Sequence, residues 1–310
     1  MKNNTPNLPN SLIEAIRYFA EEDRCFDFVK GLRWADGVVV CPRCDHDQTS
    51  FLTTRKIWKC KRCKRQFSLK VGTIFEDSSL GFDKWLPAIW LIANSKNGIS
   101  SYELGRAIDV TQKTAWFMNH RIRLAMASGT FQKLSGIVET DETYVGGLAK
   151  NMHAADRKRK IHGTGGKDKV AIHGALERGG NVVAGVVEVV SAKTLEASVR
   201  NWVESGSALY TDQSHFYRGL GWQYDHKSVN HGTGEYVNGD VHTNSIESFG
   251  NLYKRAWKGT YTHNAPKNTD RYVAERTFSF NNRELNDLGR MVAVSSSVTG
   301  KRLTYSELKA

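Results

Sequence analysis

Two short cysteine pairs constrain this chain more than any other feature. Cys41 and Cys44 are separated by two residues, as are Cys60 and Cys63, and 15 residues lie between the pairs. Two such pairs at this spacing can supply the four thiolates that one Zn²⁺ holds in a tetrahedral shell. A segment this small lacks apolar material for a core, so zinc binding would drive its folding. The pattern predicts one structural zinc ion, with unrelated core cysteines as the alternative.

Basic side chains crowd around the second pair, with Trp58 and Phe67 between them. Over the whole chain, 44 Lys and Arg exceed 32 Asp and Glu, which gives a net charge of +12. Clustered cations with aromatic neighbours are typical of a surface that binds the phosphate backbone of nucleic acid. A solvated charged face is the alternative. The candidate DNA contacts in this segment are Lys61, Arg62, Lys64 and Arg65.

A chain of 310 residues is long enough for two or three domains. No apolar run approaches the roughly 20 residues that cross a bilayer, and the first residues lack a signal-peptide pattern. We therefore expect no membrane partner and a cytoplasmic protein associated with the nucleoid. Changes in composition and in the spacing of apolar residues predict four segments. These are an N-terminal helix plus zinc ribbon at 1–75, a helix-turn-helix segment at 76–130, an α/β domain at 136–285 and a C-terminal tail at 286–310.

The segment after the cysteines predicts a helix-turn-helix. A helix over residues 102–108 is followed by a short turn, and Thr111 is a candidate N-cap for a second helix. Polar residues that open the second helix of such a pair can reach base edges or phosphates. Here those residues are Gln112, Lys113 and Thr114. A helical hairpin that only packs is the alternative.

From residue 136 onward, the spacing of apolar residues changes from the helical spacing to one that is typical of β-strands. Four β-rich runs are predicted at 137–141, 170–176, 182–190 and 208–211, with helices at 192–203, 244–257 and 267–282. The polar, basic stretch at 150–169 predicts a mobile surface loop able to clamp DNA. Residues after Gly289 show little periodicity, which predicts a tail.

Three acidic residues are candidates for metal chemistry. Asp141 and Asp212 each end a predicted strand, and Glu247 lies in a predicted helix. Three carboxylates at one edge of a mixed sheet can hold two Mg²⁺ ions and align a water or a 3′-hydroxyl with a phosphodiester. Capping or solvated acids are the alternative. Glu139 lies two residues before Asp141, on the same strand face, and Glu142 follows it; both are candidates to support the site.

The order of several motifs resembles bacterial insertion-sequence transposases of the DDE class that carry an N-terminal zinc ribbon. The resemblance extends over roughly residues 12–285. It rests on the segments 32–37, 66–68, 72–77, 110–116, 141–147, 210–212, 242–247 and 271–273, with both cysteine pairs.

The resemblance implies a ribonuclease-H-like catalytic domain whose triad is Asp141, Asp212 and Glu247, with two Mg²⁺ or Mn²⁺ ions. It implies a transposase that binds the terminal inverted repeats of its element, cleaves DNA and joins the ends to target DNA. The partner is double-stranded DNA, bound by a homodimer or a higher assembly. A catalytically silent DNA-binding regulator and a stand-alone structure-specific nuclease are the alternatives.

Residues around Glu247 complete the candidate site. Lys254, two helical turns later, shares its face and can grip DNA; a solvated lysine is the alternative. Asn244 is an alternative third ligand, although a carboxylate is the stronger one, and His242 is an auxiliary candidate. Gly250 stands where the relatives carry a bulky aromatic residue. A mid-helix glycine costs about 1 kcal/mol relative to alanine, and the missing side chain predicts a pocket there.

Overall fold

The computed structural model describes residues 8–127, 132–146, 153–160, 169–212, 215–230, 237–261 and 264–310, apart from the side chains of residues 156, 159 and 160. The chain forms two compact units. One comprises Met1–Ala127 together with Asn282–Ala310, and the other comprises Ser128–Asn281.

The helices and strands are numbered in chain order. The helices are α1 (Leu12–Tyr18), α2 (Glu22–Arg33), α3 (Phe82–Asn94), α4 (Ser101–Ala107), α5 (Gln112–Met126), α6 (Ala154–Lys160), α7 (Ala192–Trp202), α8 (Asn244–Gly259), α9 (Thr269–Asn281), α10 (Asp287–Ser296) and α11 (Tyr305–Lys309). The strands are β1 (Thr49–Leu52), β2 (Ile57–Cys60), β3 (Gln66–Ser68), β4 (Ile137–Val145), β5 (Val170–Glu177), β6 (Val182–Val187), β7 (Ala208–Asp212) and β8 (Asp225–Val229). No helix among the described residues is both long and apolar enough to span a membrane.

In the first unit, β1, β2 and β3 form a small antiparallel sheet. Trp58 on β2 is buried. Its ring contacts those of Phe26 on α2, of Trp34 directly after α2, and of Phe51 and Phe67 on the neighbouring strands. Aromatic rings thus form the apolar centre of a ribbon that has few aliphatic residues.

The helix-turn-helix prediction is confirmed as backbone geometry. Helices α4 and α5 are joined by residues 108–111, in which Asp109 takes a positive φ of 54°. Thr111 is the N-cap, and its Oγ1 accepts the N–H of Thr114 at 3.2 Å. Gly105 permits the close turn, because a Cβ there would lie 3.0 Å from the carbonyl oxygen of Val110.

The expected C-terminal tail is instead helical and belongs to the first unit. Helix α10 packs against α3, and its residues Met291 and Val294 are fully buried. Backbone hydrogen bonds also join the segment to the N-terminal half of the unit, from Gly300 N to Gly72 O at 2.9 Å and from Ile74 N to Val298 O at 3.1 Å. The short α10 carries a weak apolar pattern, and contacts over more than 200 residues of sequence stabilise it.

The second unit contains a five-stranded mixed sheet with strand order β6-β5-β4-β7-β8. Strands β4, β5 and β6 pair antiparallel, whereas β4 with β7 and β7 with β8 pair parallel. One face packs against the apolar side of α7, with Leu195 and Val199 fully buried. The other face packs against α8 and α9. The predicted fold class, an α/β domain with a mixed sheet, is therefore confirmed.

Two local predictions in this unit were wrong. Asp141 does not end a strand, because β4 continues to Val145 and pairs with β5 over that whole length. The stretch at 150–169 is not a loop throughout, because α6 occupies part of it and Arg157 N donates to His153 O at 2.9 Å. Alanine, lysine and arginine favour the helix there. Residues 150–152 and 161–168 lie outside the described residues.

Candidate active site and metal centre

The four paired cysteines converge as predicted. Their sulfur atoms all lie within 4.8 Å of one another, with Cys41 Sγ 3.8 Å from Cys63 Sγ and Cys44 Sγ 3.6 Å from Cys60 Sγ. A tetrahedral zinc with Zn–S bonds of about 2.3 Å places its sulfurs about 3.8 Å apart. The donor set therefore fits one Zn²⁺.

Both cysteine pairs have the same backbone geometry. In each, the residue after the second cysteine takes a positive φ, 56° at Asp45 and 61° at Lys64. Asp45 N donates to Cys41 O at 2.9 Å, and Lys64 N donates to Cys60 O at 3.1 Å. Burial raises the pKa of Cys60, but N–H donors of Cys63 and Arg62 and its sulfur neighbours outweigh it, so the pKa falls to about 7. These donors favour the thiolate that a metal requires.

The predicted DNA contacts of the first unit are accessible. Lys61, Arg62, Lys64 and Arg65 are all exposed. At the start of α5, Gln112 and Lys113 are exposed and Thr114 is half-buried. Gln112 Nε2 donates to Ser101 Oγ at 2.9 Å, and Lys113 Nζ lies 5.0 Å from the ring centroid of Tyr305. The DNA-binding role of all seven residues stays a prediction.

Asp141 and Asp212 lie at the same level of two adjacent parallel strands. The ladder between β4 and β7 ends with Glu139 opposite Tyr210. Asp141 lies two residues beyond Glu139, and Asp212 lies two residues beyond Tyr210. Both aspartates therefore lie on the sheet face that carries Glu139 and Tyr210. The aspartates therefore stand side by side where the two strands stop pairing, 71 residues apart in sequence.

Helix α8 brings Glu247 to the same place. The helix follows the face of β4 that carries Glu139, Asp141 and Thr143. Its first turn contacts Glu139, since Ser245 N donates to Glu139 Oε2 at 2.7 Å. Glu247 lies in the same first turn and acts electrostatically on Asp141. Thr243 Oγ1 donates to Glu247 Oε1 at 2.9 Å, which orients that carboxylate.

Burial and neighbouring carboxylates both raise the pKa of Asp141. Burial is the largest cause that raises it from 3.8 to about 6, and the charges of Asp212 and Glu247 add to the rise. The Glu142 N–H and the ammonium group of Lys254 oppose it. Negative charge in a desolvated place favours a bound cation. Oxygen donors of this kind suit Mg²⁺ or Mn²⁺.

The three carboxylates are more widely spread than the four thiolates. Among the described residues, the only group of three or more His, Cys, Asp or Glu ligand atoms within 4.8 Å of one another is the cysteine cluster. At least one pair of ligand atoms among Asp141, Asp212 and Glu247 is therefore more than 4.8 Å apart.

The remaining candidates surround this centre. Lys254 is half-buried and lies close enough to lower the pKa of Asp141. Asn244 is exposed at the first position of α8. His242 Nδ1 lies 3.3 Å from Glu139 Oε1, which places the imidazole ring beside the Glu139 carboxylate.

The predicted pocket at Gly250 is absent. A Cβ built at this glycine would lie 2.3 Å from Thr143 Oγ1, so the threonine of β4 fills the space. Gly174 on β5 plays a similar part, since its Cβ would lie 3.0 Å from Ile246 Cδ1. The two glycines allow α8 to lie close to the sheet. The prediction failed because it considered only the residues of the helix, whereas the space beside Gly250 is filled by a side chain of the neighbouring strand.

Glu142 and Glu139, the two acids beside Asp141, make contacts that the sequence did not indicate. The Tyr217 hydroxyl donates to Glu142 Oε1. Burial raises the pKa of Glu142 to about 7; the Tyr217 hydrogen bond opposes that rise, while the charges of Asp141 and Asp212 add to it. Glu139 is fully buried and contacts four other residues. Strand alternation indicated that Glu139 faces the site, but its partners are distant in sequence.

Strand order, acidic centre and thiolate cluster define the class of this protein: a ribonuclease-H-like domain in a chain that also carries a zinc ribbon. Comparison with known families agrees. Residues 133–281 match the ISXO2-like transposase domain, and residues 20–66 match the transposase zinc-ribbon domain.

A relative extends the match over most of the chain. It is described as an uncharacterized protein in transposable element ISH50 of Halobacterium salinarum. The two sequences are 30% identical over 256 residues, which cover 77% of this chain and 84% of the relative. The chain belongs to the ISXO2-like family of insertion-sequence transposases.

Proposed function

We propose that this protein is an active DDE transposase, which binds the terminal inverted repeats of an insertion sequence and performs metal-dependent cleavage and strand transfer. The observation that supports the proposal is the arrangement of Asp141, Asp212 and Glu247. Two of these residues stand level on adjacent strands, and the third acts on Asp141 from α8.

In this proposal the three carboxylates hold two Mg²⁺ or Mn²⁺ ions. Such ions supply charge neutralisation at the phosphate and a water or 3′-hydroxyl of lowered pKa. Asp141 and Asp212 present oxygen donors from rigid strands, which keeps their spacing constant. Glu247 completes the set in preference to Asn244, because its carboxylate is held by Thr243 and acts on Asp141, whereas Asn244 is an exposed neutral side chain.

The DNA would be held by basic groups of both units. Lys254 follows Glu247 on α8 at a spacing that puts both on one helix face, so its ammonium group can contact a phosphate beside the carboxylates. The exposed cations of the zinc ribbon would contact the backbone, and Gln112, Lys113 and Thr114 at the start of α5 would read or position the duplex. The protein would act in the cytoplasm, on nucleoid DNA.

A nicking assay tests the proposal. The substrate is a duplex that carries the DNA flanking the protein's own reading frame, incubated with full-length protein and Mg²⁺ or Mn²⁺. We expect nicks from the wild-type protein and at least a hundredfold slower nicking by Asp141→Ala, since the first metal-binding carboxylate is lost. Cleavage by both proteins at equal rates would contradict the assignment, and no cleavage by either would favour a DNA-binding regulator.

Strand transfer separates a transposase from a nuclease. A pre-cleaved end with a free 3′-hydroxyl is mixed with supercoiled plasmid, and joined products are resolved on a gel. We expect joining that needs the divalent cation and the intact triad. Nicking without joining would identify a nuclease of the same fold.

A further inference from the structure

We infer that Glu139 is a positioning residue: a buried carboxylate that joins the three elements carrying the triad and so sets the geometry of the metal-binding centre. The inference rests on the proposed function and deepens it. Glu139 itself faces away from solvent, with 0% of its side chain exposed, and is not placed among the metal ligands.

Glu139 caps α8 from a different part of the chain. Its Oε2 accepts the N–H groups of Ser245 at 2.7 Å and Ile246 at 3.1 Å, two of the first-turn amides that a helix cannot satisfy internally. Its Oε1 accepts the Ser245 hydroxyl at 3.1 Å. A carboxylate at this end of a helix is also favoured by the helix dipole.

This cap leaves the local N-cap residue free for another task. Thr243 stands at the N-cap of α8, but its side chain makes no capping hydrogen bond. Instead, its hydroxyl donates to Glu247 Oε1 at 2.9 Å. Because Glu139 satisfies the helix amides, Thr243 can hold the third carboxylate of the triad.

The charge of Glu139 is balanced by Arg178, which extends the connection. Arg178 Nε donates to Glu139 Oε1 at 2.6 Å, and its other nitrogens donate to the carbonyl oxygens of Asp240 at 2.8 Å and His242 at 3.1 Å. The guanidinium also lies 5.0 Å from the ring centroid of Tyr210, opposite Glu139 on β7. The pair thus contacts β4, β7 and the segment that enters α8.

A buried carboxylate with this many fixed donors holds its neighbours in one arrangement, because moving any of them leaves a buried charge unsatisfied. Asp141 follows Glu139 by two residues on β4, Asp212 follows Tyr210 by two on β7, and Glu247 follows Ser245 by two on α8. Each triad residue is therefore two positions beyond Glu139 itself or beyond a residue that contacts the Glu139–Arg178 pair.

The test compares Glu139→Gln with a matched control, Glu275→Gln. Glu275 is also fully buried in the second unit and also accepts from an arginine, Arg276 Nη2 at 2.7 Å, but it lies on α9. Hydrogen exchange of full-length protein reports on the amides of Ser245 and Ile246. The Mg²⁺ concentration that gives half-maximal nicking reports on the metal-binding centre.

In Glu139→Gln we expect exchange of these two amides to rise roughly tenfold, since a cap is weakened. We expect the half-maximal Mg²⁺ concentration to rise about tenfold to a hundredfold, the range seen when support of a metal ligand is lost, with part of the rate recovered at high Mg²⁺. Glu275→Gln should lower stability but change neither quantity. Unchanged exchange and Mg²⁺ dependence in Glu139→Gln, or equal changes in the control, would overturn the inference.

A replacement variant and a readout that does not depend on nicking allow the inference to be tested in two further cases. If Glu139→Gln does not fold, Arg178→Lys replaces it, because Arg178 is partly exposed and lysine keeps the charge while losing the contacts to Asp240 and His242; the same changes are expected at smaller size, and their absence counts against the inference. If wild-type protein nicks no DNA, the proposed function fails, and hydrogen exchange alone decides whether Glu139 anchors α8.

Discussion

Single residues decide how closely α8 approaches the sheet. Gly250 faces Thr143, and Gly174 faces Ile246, at separations that leave no room for a methyl group at position 250. Since Glu247 lies on the same helix, the small side chains at these contacts also affect where its carboxylate lies. Contacts of this kind are sensitive to one added carbon atom.

Replacing Gly250 by alanine should therefore destabilise the second unit. The new Cβ would lie 2.3 Å from Thr143 Oγ1. Overpacking of this kind costs about 1–3 kcal/mol, against a gain of about 1 kcal/mol from helix propensity. Gly259→Ala is the control, because no atom lies within 4 Å of its Cβ position. Urea unfolding should place Gly250→Ala below wild type and Gly259→Ala at or above it; equal midpoints would refute the contact.

His173 should make stability depend on pH. Burial lowers its pKa from 6.5 to about 4, and its Nε2 lies 2.8 Å from Thr140 Oγ1. Between these pKa values the unfolded chain binds a proton that the folded chain does not. Folding stability is therefore lost as the pH falls from 6.5 towards 4, by up to about 3 kcal/mol.

A variant that lacks only His173 separates this contribution from those of the other titrating groups. His173→Gln keeps an N–H donor for Thr140 but cannot be protonated. In urea unfolding at pH 4.5 to 7.5, the stability of wild type relative to His173→Gln should decline as the pH is lowered. A constant difference across the range would show that His173 does not carry the effect.

At the scale of elements, the zinc ribbon is two equivalent turns joined by a three-stranded sheet. Its folding should depend on the metal, since its apolar centre is a few aromatic rings. We expect one zinc ion per chain in the wild-type protein and loss of both zinc and ribbon structure in Cys60→Ser.

Cys25 provides the matched control for this measurement. It is buried, its Sγ donates to Phe19 O at 3.1 Å, and burial raises its pKa to about 12, so it stays a protonated thiol. Cys25→Ser should keep its zinc in elemental analysis. Retention of zinc by Cys60→Ser, or loss by Cys25→Ser, would contradict the assignment of ligands.

The charged surface of the ribbon should show itself in the salt dependence of DNA binding. Replacing Lys61 and Arg62 by alanine is expected to weaken binding at every sequence and to lower the salt slope by about 2. Lys56→Ala should leave the slope nearly unchanged, because its Nζ already pairs with Asp23 at 2.6 Å and Glu22 at 3.3 Å. Equal slopes for both variants would argue against a ribbon-specific contact.

At the scale of the whole molecule, the proposed reaction requires that the two DNA ends of the insertion sequence are cut and joined together. The proposed site has one triad per chain, so we expect two or more chains in the active complex. Sedimentation of full-length protein with a duplex that carries the element end should give a complex with at least two chains and two ends. A complex of one chain with one end that also completes strand transfer would contradict this expectation.

Local sequence was sufficient wherever the interacting residues are close along the chain. The zinc ligands come from two four-residue turns, and Thr111 caps the helix that it directly precedes. The chemistry of such a feature is carried within a few residues, which is why spacing and residue type predicted it. The identity of the three acids came from their resemblance to a family, not from spacing.

Only the tertiary structure decided the features that depend on distant partners. The matching positions of Asp141 and Asp212, two residues beyond the last pair of β4 and β7, depend on strand register. The cap of α8 depends on Glu139, more than 100 residues away, and the helix at residues 287–296 depends on α3. The sequence alone determined which groups are present and their local turns. Their meeting depended on packing between segments far apart in the chain, and packing energies are shared among many contacts that no local pattern records.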